Sequence, residues 1–204
     1  VTNANSKSDY AGYSAINYKD NSFTLNSPVQ LMTAAEVYFL RAEAALKGWN
    51  NTGGSAQQLY EQGINTSLEQ WNVADASYVN NNTNKPDAYT DPKNAANNRP
   101  SPSDITVKWN EDDKKLERII TQKWLAMFPE GQEAWTEFRR TGYPKLFEVA
   151  NNNSGGTINT KVQIRRLPFP QNEYNTNAAA VNNAVNLLKD KRDDGGARLW
   201  WDAK

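Results

Sequence analysis

The sequence predicts a mainly α-helical fold, in which tetratricopeptide-like helical hairpins are joined by long irregular loops with little β-structure. Two segments, 28–72 and 111–147, place apolar residues at three- and four-residue intervals, the spacing of one helix face. Alanine is frequent in the first of them, which allows helices to approach closely. Around both segments lie stretches rich in proline, glycine and asparagine, which interrupt regular structure.

Composition excludes several classes of function. The chain has 23 basic and 23 acidic residues, so no bulk charge favours nucleic acid or an anionic membrane. Histidine and cysteine are absent, which removes imidazole bases, thiolate nucleophiles, disulfides and Cys/His metal sites. We therefore expect no cofactor, no metal and no nucleic-acid partner. Asparagine makes up about one residue in eight, which predicts long ordered loops.

We interpret residues 1–204 as a single portion of one domain. Its lead-in has no sustained period, and we expect its aromatic residues Tyr10, Tyr13, Tyr18 and Phe23 to pack on the body. The chain divides into five consecutive parts: an irregular lead-in 1–27, a helical-repeat hairpin 28–72, a long loop 73–110, a Trp-rich helical hairpin 111–147 and a C-terminal segment 148–204.

The first hairpin is predicted from capping residues at each end of its helices. Ser27 as N-cap and Pro28 at the first helical position favour a helix that begins there and closes at Gly48. Ser55 begins a second helix with the same capping pattern, and that helix runs to about Trp71. The two helices form one tetratricopeptide-like unit, and no second clean copy is found in the sequence.

Charged residues interrupt the alanine-rich first helix. Glu36, Arg41 and Glu43 lie within it. We expect one of the two carboxylates to be buried and paired with Arg41, an arrangement that more often fixes packing than performs chemistry.

The long loop is rich in asparagine and contains four prolines, so regular helix is not expected there. A connection of this length in a compact domain is usually functional or disordered. Its aromatic residues Tyr78, Tyr89 and Trp109 are the candidate ligand contacts. The loop is interpreted either as a surface that touches a ligand or transporter, or as a solvated excursion.

The second hairpin turns at a proline–glycine corner. Its first helix is expected to end at Phe128 or soon after, because Pro129 cannot donate a backbone hydrogen bond and Gly131 can take a left-handed conformation. Trp135 and Phe138 are expected to bury against the first helix. Six residues here and in the following segment are predicted to have structural roles: Trp124, Trp135, Arg139, Arg140, Arg165 and Arg166.

The C-terminal segment begins extended, because prolines bias residues 164–170 away from helix. Arg165 and Arg166 are suited to a carboxylate or phosphate ligand, but the favoured interpretation is that they pair with acidic side chains and fix this segment to the hairpin. A short helix is predicted at 178–189, and the tryptophan pair of the tail 199–202 is expected to hold the tail on the body. The expected acidic partners are Glu133, Glu137 or Glu173.

Three stretches together resemble one protein family. QKWLAMFPEGQEAWTEFRRTGYP resembles the C-terminal signature of the SusD/RagB-like outer-membrane lipoproteins of Bacteroidetes. LMTAAEVYFLRAEAALKGWN, followed by YEQGINTSLEQW, resembles the helical-repeat hairpin of that family, and IRRLPFPQNEYNTN with RLWWD resembles its C-terminal segment. The stretches occur in the order of the family and span most of residues 28–202.

The resemblance implies a cell-surface nutrient-binding protein. Members of the family capture glycans or peptides beside a SusC-like TonB-dependent transporter, and they are anchored to the outer membrane through a lipidated N-terminus. That anchor is absent from this chain, which we expect to be the C-terminal part of a longer precursor. In the family, the ligand platform and much of the transporter contact come from segments upstream of these motifs.

Two alternatives remain open at the level of sequence. Glu130, Glu133 and Glu137 are the carboxylates clustered with aromatic residues, and Glu133 with Glu137 would suit a two-carboxylate glycosidase. The same spacing also lets these carboxylates meet Lys123 or Arg140 as ordinary ion pairs. A helical-repeat scaffold that binds a protein and no small ligand is the second alternative.

Overall fold

The structure is a computed structural model that describes residues 12–14 and 27–202 of the chain. Within these residues the chain forms five α-helices and two short 3-10 turns, and an isolated antiparallel bridge between Tyr89 and Arg99 stands in place of a sheet. The predicted mainly α-helical class is confirmed. The elements in order are α1 (Ala34–Leu46), α2 (Ala56–Gln70), the 3-10 turns Tyr78–Asn80 and Ala95–Asn97, α3 (Lys115–Ala126), α4 (Gly131–Thr141) and α5 (Gln171–Leu187).

Helix α1 begins later than predicted. Its N-cap is Thr33, whose hydroxyl oxygen accepts a hydrogen bond from the Glu36 backbone N–H at 3.1 Å. The prediction of a start at Ser27 was wrong, because the helix starts where side chains begin to be buried, and Leu31 before it is 87% exposed. The predicted end at Gly48 is confirmed by a φ of +75°, which glycine adopts at little cost.

Helix α2 follows the local signals closely. Ser55 and Gln58 form the predicted capping box, and Trp71 caps the C-terminal end. The helix packs tightly against α1 at Gly63, where an added Cβ would lie 2.9 Å from the Phe39 ring. Phe39 also meets Tyr60 edge-on, so the two helices form the predicted hairpin around a shared aromatic core.

The corner between α3 and α4 differs in detail from the prediction. Helix α3 ends at Ala126 with Met127 as its C-cap, two residues before the predicted end at Phe128. The expectation of a left-handed Gly131 was wrong, because Gly131 is the first residue of α4. Gly142 instead supplies the left-handed residue, with a φ of +77°, at the end of α4.

The two aromatic residues of α4 point in different directions. Phe138 is buried, as expected. Trp135 is half-buried, and its indole N–H donates to the Ile164 backbone oxygen at 3.0 Å. Trp135 therefore contacts the C-terminal segment. The expectation that it would bury against α3 was wrong, because its indole N–H donates to a backbone oxygen of that segment.

Helix α5 begins at Gln171, well before the predicted start at 178. The predicted start falls just after Asn177, whose φ of −147° breaks the helical path and separates two helical pieces. Pro170 is the N-cap residue. Proline is tolerated there because a backbone N–H at the start of a helix has no partner within the helix, so its absence removes no hydrogen bond. The expected apolar stripe is buried at Val181.

The C-terminal tail is fixed by a buried carboxylate. Asp202 is 1% exposed and accepts hydrogen bonds from Arg165 at 2.6 Å and from Arg198 at 2.7 Å. Arg165 also donates to the Arg139 backbone oxygen at 3.1 Å, while Arg139 donates to the Arg165 oxygen at 3.0 Å. These reciprocal bonds join α4, the extended segment and the tail.

The arginine partners differ from those expected. Arg165 pairs with Asp202, and Arg166 pairs with Asp193, instead of with Glu133, Glu137 or Glu173. Of the two tail tryptophans, Trp201 lies against the Arg139 guanidinium, 4.9 Å from its ring centroid, whereas Trp200 is 91% exposed. Asp202 and Trp201 therefore hold the tail, and Trp200 does not.

We predict that Asp202→Asn destabilises the fold by about 3–5 kcal/mol, because it leaves the buried Arg165 guanidinium without its charged partner. Urea unfolding followed by circular dichroism measures the change. Asp113→Asn, at an exposed position, is the control and is expected to change the free energy of unfolding by less than about 0.5 kcal/mol. Equal effects of the two substitutions would contradict the assignment.

Candidate functional site

An apolar groove of about 520 Å³ lies between the long loop, α3 and the segment that follows α4. Tyr60 of α2 also lines it, so four parts of the chain build the groove. Apolar and aromatic side chains from the long loop, α3 and the segment after α4 form much of its surface: Tyr78, Ile105, Trp124, Leu125, Leu146 and Phe147. A concave, mostly apolar cavity of this size is typical of small-molecule sites.

Tyr78 is the sequence-predicted ligand candidate that lines the groove. It lies in the first 3-10 turn, and its hydroxyl exchanges hydrogen bonds with the Gln122 side chain of α3 at 3.1–3.3 Å. The Lys108 backbone N–H donates to the Asn81 oxygen at 2.8 Å and ties the two ends of the loop together. The ring of Tyr78 is thus held in place on the groove wall.

Trp109 is a core residue, which corrects its candidacy as a ligand contact. Its side chain is 7% exposed, and its ring centroid lies 5.3 Å from that of Tyr60. Its indole N–H donates to the Glu111 carboxylate at 2.6 Å. A solvent-borne ligand has no access to a ring that both Tyr60 and the chain's core cover.

Tyr89 supports the groove without lining it. Its ring contacts Phe147, with centroids 5.9 Å apart, and its hydroxyl donates to Asp91 at 3.2 Å. Hydrogen bonds from the Lys93 backbone, the Asn97 side chain and other donors outweigh the effect of burial and hold the pKa of Asp91 well below its usual range. The carboxylate thereby orders the middle of the long loop.

Asp91 also binds part of the lead-in. The Tyr13 hydroxyl donates to its carboxylate at 3.1 Å, which places that residue against the body. The other lead-in aromatics expected to pack there, Tyr10, Tyr18 and Phe23, lie outside the described residues.

Trp124, predicted as structural, lies half-buried in the groove wall. Leu146 and Phe147, which also line the groove, were not identified from the sequence as candidate site residues. That apolar pair, two residues after Pro144 in the irregular chain that follows α4, was the signal available for finding this wall.

The charged side chains around the groove compensate one another. Arg118 forms a two-pronged pair with Asp112, and Lys145 lies 3.6 Å from Glu117. Lys85 and Asp87 carry opposite charges. Among the described residues the groove is lined by three basic side chains, Lys85, Arg118 and Lys145, and one acidic side chain, Asp87, so it does not offer paired catalytic carboxylates.

The glutamates considered for a glycosidase lie elsewhere, beside Lys123. The Lys123 ammonium is 1% exposed and lies 3.2 Å from Glu137 and 3.9 Å from Glu133. Glu137 is itself buried, so a bound sugar has no path to its carboxylate. Glu130 precedes α4 as its N-cap residue. None of the three lines the groove.

These charges belong to a buried network that spans three helices. Lys123 of α3 lies 3.6 Å from Glu36 of α1. Arg140 of α4 binds both Glu137, at 2.7 Å, and Glu43 of α1, at 2.8 Å. The predicted pairing of Arg140 and Lys123 with the α4 glutamates is confirmed for Glu137.

The expected pairing of Arg41 with a buried carboxylate was wrong. Arg41 donates to the Thr52 backbone oxygen at 2.7 Å and lies over the Tyr38 ring, so it caps the α1–α2 turn. The buried carboxylates Glu36 and Glu43 face the other way, towards α3 and α4. Glu36 and Glu43 lie on the inner side of α1, so they pair with residues of α3 and α4 and not with Arg41, which is close to them in sequence.

The two α1 carboxylates have opposite pKa shifts. Burial alone would raise the pKa of Glu43, but hydrogen bonds from Arg140 and Lys47 outweigh it and lower the pKa to about 2. Burial raises the pKa of Glu36, and the more distant Lys123 does not offset it. Glu43 is therefore the carboxylate whose charge stabilises the fold.

We predict that Glu43→Gln removes about 2–3 kcal/mol of stability at pH 7, because the folded pKa of about 2 lies below the ordinary value of 4.5. That contribution is present above about pH 4.5 and is lost as the pH falls towards 2. The difference between wild type and variant in urea unfolding should shrink over this range. Glu69→Gln, exposed on α2, is the control. A difference independent of pH would contradict the assignment.

The helical hairpins and the mostly apolar groove define a helical-repeat protein with a candidate site for a small ligand. The profile of the SusD-like family, described as Susd and RagB outer membrane lipoprotein, matches residues 1–202. The chain belongs to this family, which confirms the resemblance drawn from its motifs. SusD-like proteins are nutrient-binding outer membrane lipoproteins and are not typically enzymes.

Solved structures of similar proteins agree. A chitin-binding SusD homologue from Flavobacterium johnsoniae is 49% identical, with a TM-score of 0.79 and 85% of this chain covered. A SusD-like protein from Bacteroides thetaiotaomicron is 44% identical, with a TM-score of 0.82 and 87% covered. The chain spans 36% and 38% of the length of these two relatives. No curated protein matches the chain.

No helix in ranges 12–14 and 27–202 is long and apolar enough to cross a membrane. Within the same part of the chain, no group of three or more acidic side chains is arranged to hold a metal ion.

Proposed function

We propose that this chain is the C-terminal portion of a surface receptor that captures a glycan or an oligopeptide and delivers it to a SusC-like TonB-dependent transporter. The observation that carries the proposal is the mostly apolar, aromatic-lined groove in a member of a nutrient-binding family. Tyr78 and Trp124 would contact the ligand there, with Tyr89 holding the Phe147 wall. We also propose that residues 1–204 form a single portion of one domain, divided into the five parts given by the sequence.

The proposed location is the outer surface of the outer membrane. The family consists of outer membrane lipoproteins, which supports this assignment. Attachment would be through a lipidated N-terminus outside this chain, with the transporter as its neighbour in the membrane. The chain itself would act as a binding protein and not as an enzyme, because the clustered glutamates are engaged with Lys123 and Arg140.

Chitooligosaccharides are the first ligands to test. One structural relative, 49% identical to this chain, is a chitin-binding protein. Aromatic faces beside amide and hydroxyl groups suit sugar rings, which present C–H faces and hydroxyl edges. Gln122 and the Tyr78 hydroxyl provide such polar groups in the groove.

A protein-binding scaffold without a small ligand is the second candidate. It is favoured by apolar side chains on the outer side of α1 and just before it, which are unusually exposed for a soluble domain. These side chains are Val29, Leu31, Met32, Val37 and Leu40. Such a scaffold would bind a protein and show no affinity for glycans or short peptides.

Isothermal titration with chitooligosaccharides, other glycans and oligopeptides tests the proposal. Trp124→Ala is expected to weaken binding at least about tenfold, equivalent to about 1.4 kcal/mol, because it removes an aromatic face from the groove. Thr121→Trp fills the groove from α3 and should weaken binding similarly. Trp49→Ala removes an exposed tryptophan that does not line the groove and should leave the affinity unchanged.

Affinity capture from native outer membranes tests the proposed partner. A TonB-dependent barrel is expected among the captured proteins. Absence of that barrel together with no ligand in the titrations would refute the receptor assignment, whereas a captured protein without any ligand binding would favour the scaffold.

A further inference from the structure

We infer that a second cavity beside the groove binds a carboxylate group of the ligand. This cavity has a volume of about 520 Å³ and adjoins the groove, because both are lined by Pro102, Lys145, Leu146 and Phe147. We call it the basic cavity. The inference rests on the proposed function and deepens it, since it assigns a negative charge to one end of the ligand.

The charged residues that line the basic cavity are mostly basic. Among the described residues they are Arg99 of the long loop, Lys145 and Glu148 of the chain after α4, and Lys161 before the extended segment. The apolar part of the lining includes Phe147 and the rest of the wall shared with the groove. A cavity that joins excess positive charge to apolar surface favours an anion that also carries an uncharged portion.

Hydrogen bonds and a ring contact tie the segments of the basic cavity to Phe147. Arg99 and Tyr89 exchange backbone hydrogen bonds at 2.9 and 3.0 Å, and the Tyr89 ring contacts that of Phe147. The Gln163 side-chain amide, two residues after Lys161, donates to the Phe147 backbone oxygen at 3.0 Å. The backbones that carry two of the cations are therefore held in place before a ligand arrives, which lowers the entropic cost of binding.

Arg99 is the cation best suited to bind the carboxylate. Within the described part of the chain, its guanidinium donates to two backbone oxygens, that of Ala96 at 3.2 Å and that of Asn98 at 2.7 Å. Both bonds come from Nη1, and neither acceptor carries a charge. The Nε and Nη2 groups form the planar edge of a guanidinium that binds the two oxygens of a carboxylate side by side.

The two lysines of the basic cavity are only loosely paired. The Lys145 ammonium lies 3.6 Å from Glu117, a buried carboxylate that also accepts the Ser103 hydroxyl. Lys161 lies 3.6 Å from Glu148, and these two side chains are 73% and 51% exposed. Exposed ion pairs are weak because water screens them, so either ammonium can turn to a ligand carboxylate at little cost.

The shared wall allows one ligand to occupy both cavities, with its carboxylate at Arg99 and its uncharged part along Phe147 in the groove. A sugar acid and the C-terminus of a peptide present the same planar group, and matched ligands that differ by one charged group or its neutral form distinguish these sources.

The test titrates two such pairs into wild type at low ionic strength. One pair is trigalacturonate and its methyl ester, and the other is an N-acetylated hexapeptide with a free C-terminal carboxylate and its C-terminal amide. The acid form of one pair should bind about tenfold more tightly than its neutral form, because a hydrogen-bonded charge is gained. Added salt should reduce that difference. The pair that shows the difference identifies the source of the carboxylate.

Four variants test the residues. Arg99→Gln should weaken the acid form about tenfold and change the neutral form by less than about twofold, and Arg99→Lys should recover part of the loss. Glu148→Gln should strengthen binding of the acid form, because it removes the acidic side chain from the described lining of the basic cavity. Lys189→Gln, at an exposed position that lines neither cavity, is the control and should change no affinity.

Three results would overturn the inference. If the acid and neutral forms bind wild type equally, the basic cavity does not select a carboxylate, and the proposed function stands. Equal losses in Arg99→Gln and Lys189→Gln would show an effect of net charge alone. No binding of either pair would refute the carboxylate site, while the titrations with chitooligosaccharides decide the proposed function separately. Thermal unfolding checks that each variant folds, and the gain expected for Glu148→Gln does not arise from a damaged fold.

Discussion

A buried lysine holds three helices in one arrangement. Lys123 on α3 is 1% exposed and faces Glu36 of α1 and Glu137 of α4, while Arg140 links Glu137 to Glu43. A buried charge without its partner costs several kcal/mol, so the helices can pack only where these charges meet. Hydrophobic burial alone would tolerate small rotations of α3, whereas the ion pairs fix which face points inward.

That constraint also determines the groove. Helix α3 presents Lys123 to the interior and Thr121, Gln122 and Leu125 to the long loop, so the direction of the buried ammonium sets the direction of the groove wall. The buried glutamates pair with Lys123 and Arg140 inside the helical body, and the groove combines aromatic faces and neutral polar groups with the charged side chains of Lys85, Asp87, Arg118 and Lys145. The aromatic-rich hairpin therefore packs into the helical body with one face and lines the groove with the other.

Features encoded by neighbouring residues could be predicted, and features that depend on distant partners could not. The α2 capping box and the Gly48 turn depend on residues within four positions, and both were identified. The start of α1 depends on where side chains begin to be buried, so Thr33 is the N-cap residue and not the predicted Ser27. Asp202 meets Arg165 from 37 residues away, and no local pattern indicates that choice. The groove is harder still to predict, because α2, the long loop, α3 and the chain after α4 all contribute to it, and its Leu146–Phe147 wall lies in irregular chain.

A double-mutant cycle on Lys123→Met and Glu137→Gln, measured by urea unfolding, tests most directly whether the buried charges hold the frame together. The two side chains lie 3.2 Å apart in the interior. We therefore predict that the stability losses of the two single variants, added together, exceed the loss of the double variant by a coupling free energy of about 1–3 kcal/mol. Additive effects within about 0.5 kcal/mol would show that the two charges do not interact, and would contradict this account of the fold and of the groove that depends on it.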